Sequence, residues 1–259
     1  MSGYVDLPGE QRVYVEVHGS GGEPVFLLHG GFESADSWGA QIKALEPDYH
    51  VFVPERRGHG RSPDVPGPYT IPVMAEETAA VIQTLAQGPA HLIGWSDGAY
   101  VAAYLTLHRP ELVRSAVWIG QPLAEEGRTS GERTLVNEPQ LKEWVRGDYD
   151  KISPDGPEHF DVVFKKVLSL WQNPVEMSFE EFATVTAPVL VLQGDDDGVR
   201  IDWNRRVAAA LPKGQFAVVP GTGHGAPMQR AAIVNQMILS FLADPEPERF
   251  IALGALKDT

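Results

Sequence analysis

His91-Leu92-Ile93-Gly94-Trp95-Ser96-Asp97-Gly98, running into the alanine- and leucine-rich stretch 99–108, is the passage of this 259-residue chain that decides its fold. The apolar run 91–94 suits a strand buried on both faces, and 99–108 suits a helix that ends before Pro110. Ser96 therefore sits where a strand turns sharply into a helix. A serine hydroxyl is a poor nucleophile unless it is held exposed beside a base. A tight bend does the holding, and glycines two residues to either side remove the side chains that would collide in it. The G-x-S-x-G spacing alone is a weak signal, since glycine and serine are common in loops. Its place between an apolar strand and a helix gives it weight; an ordinary strand-to-helix turn is the competing reading.

Working outward, residues 12–18 alternate, with Val13, Val15 and Val17 apolar, as a strand with one buried face does. Gly19 to Gly22 makes a turn, and 24–28 is a short apolar run fit for a strand buried on both faces. Comparable runs recur at 50–54, 112–119, 189–192 and 216–219. Helical spacing separates them: 73–87, with Met74, Thr78, Val81, Ile82 and Leu85 three or four apart, then 203–211 and 231–242. Strand alternating with helix predicts an α/β fold, a mostly parallel sheet with helices on both faces. The rhythm breaks from 121 to 186, where charges, prolines and glycines surround helical fragments carrying Leu141, Trp144, Phe160, Phe164, Leu168 and Trp171. We read 1–120 and 187–259 as the core and 121–186 as a helical cap over one end of the sheet. The cap's aromatic residues are expected mostly to pack it onto the core, with some lining a pocket.

Composition narrows the functions open to such a fold. With 43% hydrophobic and 22% charged residues the chain has an ordinary globular make-up. It has no cysteine, which excludes disulfides, cysteine nucleophiles and cysteine metal sites. A formal net charge of −14 would repel phosphate backbones and anionic lipid, so neither nucleic acid nor membrane is expected as a partner. No apolar run approaches the length of about 18 residues that a membrane span needs. Residues 1–10 lack the basic start and apolar centre of a signal peptide, so a cytoplasmic location is the default expectation. Gly19 to Gly22 joins two strands without the lysine, serine or following helix of a phosphate-binding loop, and no nucleotide cofactor is inferred. Oligomeric state is not legible.

A base for Ser96 is best sought past the last strand. His224 lies in Pro220-Gly221-Thr222-Gly223-His224-Gly225, a glycine loop that lets a histidine project over the sheet. There it could take the proton from Ser96 and return it to a leaving group. Seven other histidines sit elsewhere: His18, His50 and His91 at strand ends, His108 at a helix end, His159 in the cap, His29 and His59 in glycine turns. An acid to hold the histidine is wanted after 189–192, where Asp195, Asp196 and Asp197 follow Gly194 and the pattern alone leaves the choice open. Three adjacent acids lack the spacing of a calcium loop, and no metal is expected. Backbone donors for a developing oxyanion are expected from the Asp97 amide and from the loop His29-Gly30-Gly31-Phe32.

With Ser, Asp and His in that order, the chain resembles the α/β-hydrolase family from about residue 14 to 242. L-I-G-W-S-D-G-A, with the later R-P-E-L-V, resembles its valacyclovir-hydrolase-like branch, which hydrolyses esters. The resemblance implies an eight-stranded, mostly parallel sheet with a small helical cap. It implies Asp197 as the acid, because Gly194, Asp197 and Val199 match the family's register; Asp195 and Asp196 are then solvated loop residues. It implies the Gly31 amide as an oxyanion donor, Phe32 as a neighbouring wall, and Trp95 and Asp97 among substrate contacts. Asp97 could pair with a cationic group on a substrate, or equally cap its own helix. Glu55-Arg56-Arg57-Gly58-His59-Gly60-Arg61-Ser62 resembles a family loop with glutamate in place of aspartate, and Arg57 there is expected to tie loops together.

These readings converge on a cofactor-free serine hydrolase with Ser96, Asp197 and His224, acting on a small or medium carboxylic ester, lactone or amino-acid ester. Thioester or carbon–carbon bond hydrolysis, perhydrolysis, and a non-catalytic ligand-binding protein on the same fold are the alternatives.

Overall fold

A computed structural model describes residues 2–8, 11–135, 137–147 and 149–248; the rest of the tail lies outside the described residues. Among the described residues eight strands form one sheet in the order β1-β2-β4-β3-β5-β6-β7-β8. They are β1 (Gly3–Leu7), β2 (Gln11–His18), β3 (Pro24–Leu28), β4 (His50–Pro54), β5 (Ala90–Trp95), β6 (Val113–Ile119), β7 (Val189–Gly194) and β8 (Gly214–Val219). β2 runs antiparallel to β1 and to β4, and every other neighbouring pair is parallel. β3, β5, β7 and β8 therefore end at the same edge of the sheet, the edge where ligands bind in folds of this kind.

The helices are α1 (Gly39–Leu45), α2 (Ile71–Leu85) and α3 (Asp97–His108) before β6. Between β6 and β7 come α4 (Ser130–Leu135), α5 (Leu141–Trp144), α6 (Tyr149–Ile152), α7 (Phe160–Gln172) and α8 (Phe179–Phe182). After β7 come α9 (Ile201–Ala210), α10 (Ala226–Gln229) and α11 (Ala231–Ala243). Alternation along each strand sorts its side chains between two apolar layers. Phe26, Leu28, Leu92 and Trp118 join Met74, Val101 and Val207 of α2, α3 and α9. Val25, Leu27, Ile93 and Val117 join Ile42, Leu45, Val234 and Ile238 of α1 and α11. Cover on both faces is why the central strands read as unbroken apolar runs.

Two expectations need adjusting. The run 216–219 is not buried on both faces: among the described residues β8 pairs with β7 alone at the edge of the sheet, and of its residues only Val219 is buried. The helix expected at 73–87 lies at Ile71–Leu85, because the Thr70 side chain caps it with Pro72 in the first turn, and Ala86 is already extended. β1 carries no run in the sequence, since Gly3 and Asp6 interrupt its apolar residues; antiparallel pairing to β2 makes it a strand. Among the described residues no helix is long and apolar enough to cross a membrane.

Candidate active site

Ser96 stands between β5 and α3 with φ 55° and ψ −124°, a left-handed conformation that costs a non-glycine residue on the order of 1–3 kcal/mol. Neighbouring backbone holds it there. Its amide donates to the Ile119 carbonyl at 2.9 Å, and its carbonyl accepts from Ala99 at 2.8 Å. A β-carbon at Gly94 would strike the Gly98 and Ala99 backbone, and one at Gly98 would strike the carbonyls of Leu28 and His29. The glycine spacing thus reflects three backbone segments meeting at the bend. Asp97 opens α3, so its amide has no carbonyl one turn earlier to bond.

His224 reaches the same point from the loop after β8. Its Nε2 lies 2.9 Å from Ser96 Oγ and its Nδ1 lies 2.8 Å from Asp197 Oδ1. A carboxylate can only accept, so Nδ1 carries the proton and Nε2 is left to accept from the serine hydroxyl. Burial alone would lower the histidine's pKa, but the hydrogen bond and charge of Asp197, with Asp97 and Glu132 beyond, hold it above the usual value. Other histidines go the opposite way. Burial, followed by the Arg56 charge, pushes His59 down to about 3 and His29 well below its ordinary value.

Of the three adjacent acids, the structure brings Asp197 to His224, with its side chain 1% exposed. Its Oδ1 also accepts from the Gly198 amide at 2.6 Å. Asp195 is not merely solvated: its Oδ1 accepts from the Thr222 amide at 3.0 Å and so ties down the loop that carries His224. Asp196 is exposed and lines the cavity at Ser96.

On the opposite side, buried His29 orders the glycine loop. Its Nε2 accepts from the Arg56 amide at 3.0 Å, its Nδ1 lies 2.7 Å from the Gly30 carbonyl, and Arg56 Nη2 donates to that carbonyl at 3.0 Å. A β-carbon at Gly31 would fall 2.6 Å from Asp97 Oδ2 and 2.8 Å from Trp171 Cζ2, so glycine is what fits there. Arg57 pairs with Glu77, and buried Glu55 accepts from the Ala35 amide at 3.0 Å, so the 55–62 loop is structural.

Two sequence expectations change here, and a third residue gains a further contact. Phe32 does not line the cavity that contains Ser96. At φ 61° its ring packs instead on Phe160, Phe164, Trp171 and His59. Asp97 is the first residue of α3, one past the N-cap position that Ser96 occupies, and its buried carboxylate accepts from Trp171 Nε1 at 3.0 and 3.1 Å. Burial raises its pKa against the opposing pull of Arg56. Trp95 does line the cavity, but its indole N–H donates to the His224 carbonyl at 2.7 Å. Replacing Trp95 with phenylalanine should then lower kcat by roughly three- to tenfold, the worth of one hydrogen bond, with little change in KM. Steady-state kinetics checks this, and a rise in KM alone would assign Trp95 to substrate contact.

The cavity is about 550 Å³, within the range of small-molecule sites. Ser96, His224, Gly31 and the Asp97 residue share its wall with Leu135, Leu141, Trp144, Val145, Leu170 and Trp171 from 121–186. Phe160 is fully buried, so the aromatic residues of that segment divide between lining and packing. Arg128, Glu33, Glu132 and Tyr100 also line the cavity and carry no signal in the sequence that marks them.

Residues 25–237 match the model of the alpha/beta hydrolase family. A Mycobacterium tuberculosis protein named as a non-heme bromoperoxidase, BpoC, is 28% identical over 252 residues, covering 86% of this chain and 94% of that one. A Stutzerimonas stutzeri protein named as a carbamate hydrolase, RutD, is 26% identical over 261 residues, covering 90% and 97%. Among solved structures, a thermophilic esterase from Thermogutta terrifontis superposes with a TM-score of 0.73 at 24% identity, covering 95% of this chain and all of the other.

Proposed function

This chain belongs to the alpha/beta hydrolase family, and from that premise we propose that it is a cofactor-free serine hydrolase that cleaves a carboxylic ester through an acyl-enzyme. Ser96 Oγ attacks the carbonyl carbon while its proton passes to His224 Nε2. The amides of Gly31 and Asp97 receive the oxyanion. Collapse expels the alcohol, which takes the proton from His224. Water then gives its proton to the same nitrogen, attacks the acyl-enzyme, and the acid leaves as Ser96 is restored. Asp197 keeps the imidazole in the required tautomer and stabilises its cation.

The observation that carries this reading is the continuous chain from Asp197 through His224 to a strained Ser96, at 2.8 and 2.9 Å, inside a cavity. Relatives named for carbamate and ester hydrolysis agree with acyl transfer. The 121–186 segment is proposed as a cap, since it supplies much of the apolar wall, and the cavity's size favours small or medium esters, lactones or amino-acid esters.

The pH profile tests it. His224 must be neutral to act as base, and its pKa is raised, so activity is lost as pH falls through a midpoint above about 6.5. Hydrolysis of a p-nitrophenyl ester, followed from about pH 5 to pH 9, should show that single acid limb in kcat/KM. A flat profile across that interval removes the histidine base from the account.

A further inference from the structure

Four polar atoms on the wall of the Ser96 cavity have no hydrogen-bond partner among the described residues: Asp197 Oδ2, on the carboxylate already bound to His224, and, away from it, Tyr100 Oη, Arg128 Nε and Glu132 Oε2. Tyr100 is 3% exposed and Arg128 7%, while the Glu132 side chain, at 28%, is only partly buried. Orphaned polar groups so deeply buried are costly, and each calls for an explanation. Tyr100 lies on α3 one turn after Ser96, and its amide donates to the Ser96 carbonyl at 3.2 Å. Arg128 comes from the other side, fixed by backbone. Residue 128 bridges to Val199, Thr129 donates to the Gly198 carbonyl, and Arg200 donates to the Gly127 carbonyl. Its Nη1 donates to the Trp171 carbonyl at 3.2 Å, while Nε lies 3.4 and 3.5 Å from the Glu125 and Glu132 carboxylates, too far for good hydrogen bonds.

We propose that Tyr100, Arg128 and Glu132 form a recognition subsite for a neutral carboxamide group on the substrate, away from the bond that is cleaved. A carbonyl oxygen accepts from the Tyr100 hydroxyl and the Arg128 guanidinium, and an amide N–H donates to Glu132. A cation placed between Tyr100 and Arg128 would lie against the guanidinium, and an anion is disfavoured too. Glu125 and Glu132 already offset Arg128, and Glu33, Asp97 and Asp196 on the same wall disfavour an anion. The subsite deepens the reading of Ser96 by naming the substrate class, and it rests on that reading only in taking this cavity as the substrate's.

Binding to the Ser96→Ala protein tests it without turnover. The probes are p-nitrophenyl 4-acetamidobutanoate, its hydrocarbon isostere p-nitrophenyl 6-methylheptanoate, and the anionic p-nitrophenyl glutarate half-ester, each measured by calorimetry with Tyr100 intact and with Tyr100→Phe. The amide ester should bind about five- to tenfold more weakly without the hydroxyl, and the isostere should change by less than about twofold. Tyr100→Phe should leave Tm unchanged or higher, because an unpaired buried hydroxyl stabilises nothing. Equal changes for amide and isostere, the largest loss on the half-ester, or a fall in Tm each overturn the subsite. Absence of turnover in the wild type would instead count against the hydrolase reading alone.

Discussion

Ser96→Ala is expected to lower kcat for a p-nitrophenyl ester by on the order of a millionfold, as loss of the nucleophile does in a well-studied serine protease. The size of the effect follows from cooperation: with no Oγ, the proton path from Ser96 to His224 Nε2 has no beginning. Progress curves at high enzyme concentration measure it. The fold should persist, because alanine keeps the β-carbon and meets the same contacts at the bend. Ser96→Gly should be equally inactive yet about as stable or more so, since glycine adopts φ 55° without strain. Turnover that survives either substitution would move the chemistry elsewhere.

Asp197→Asn carries the second large effect, a loss of about ten-thousandfold in kcat. An asparagine amide turned toward Nδ1 would favour the tautomer that presents N–H, not a lone pair, to Ser96. Asp195→Asn should stay near wild type, because its remaining side-chain oxygen can still accept from the Thr222 amide. Parallel kinetics on the two variants decides between neighbouring acids, and the reverse ranking would mean that the loop after β7 holds His224 differently during turnover.

Much of this was legible in local pattern. β3 and β4 occur at the residues their apolar runs occupy, because burial on both faces leaves an unbroken signature. Ser96 was legible because the bend needs glycines at fixed spacing. His224 was legible because one glycine loop follows the last strand. The acid was not separable from its neighbours by pattern, since three aspartates share one loop and only a family register chose among them.

What stayed hidden depends on contacts between distant segments. The Trp95 indole reaches a carbonyl 129 residues away, and Trp171 reaches Asp97 across 74. No period or motif encodes either meeting. In sequence Asp97 reads as a partner for a cationic substrate group or as a helix cap, because its actual partner lies in another element. Phe32 looked like a cavity wall because a positive φ at a phenylalanine, which turns the ring toward α7, has no mark in sequence. Arg128 and Tyr100 were hidden for the same reason: one reads as a surface charge and the other as a helix residue until the fold sets them around one cavity.

The most direct measurement is acid quench of the enzyme during turnover of a p-nitrophenyl ester, followed by digestion and mass spectrometry. The account places one added acyl group on the peptide containing Ser96, absent from Ser96→Ala and cleared once substrate is exhausted. An acyl group on any other residue while turnover proceeds would contradict it.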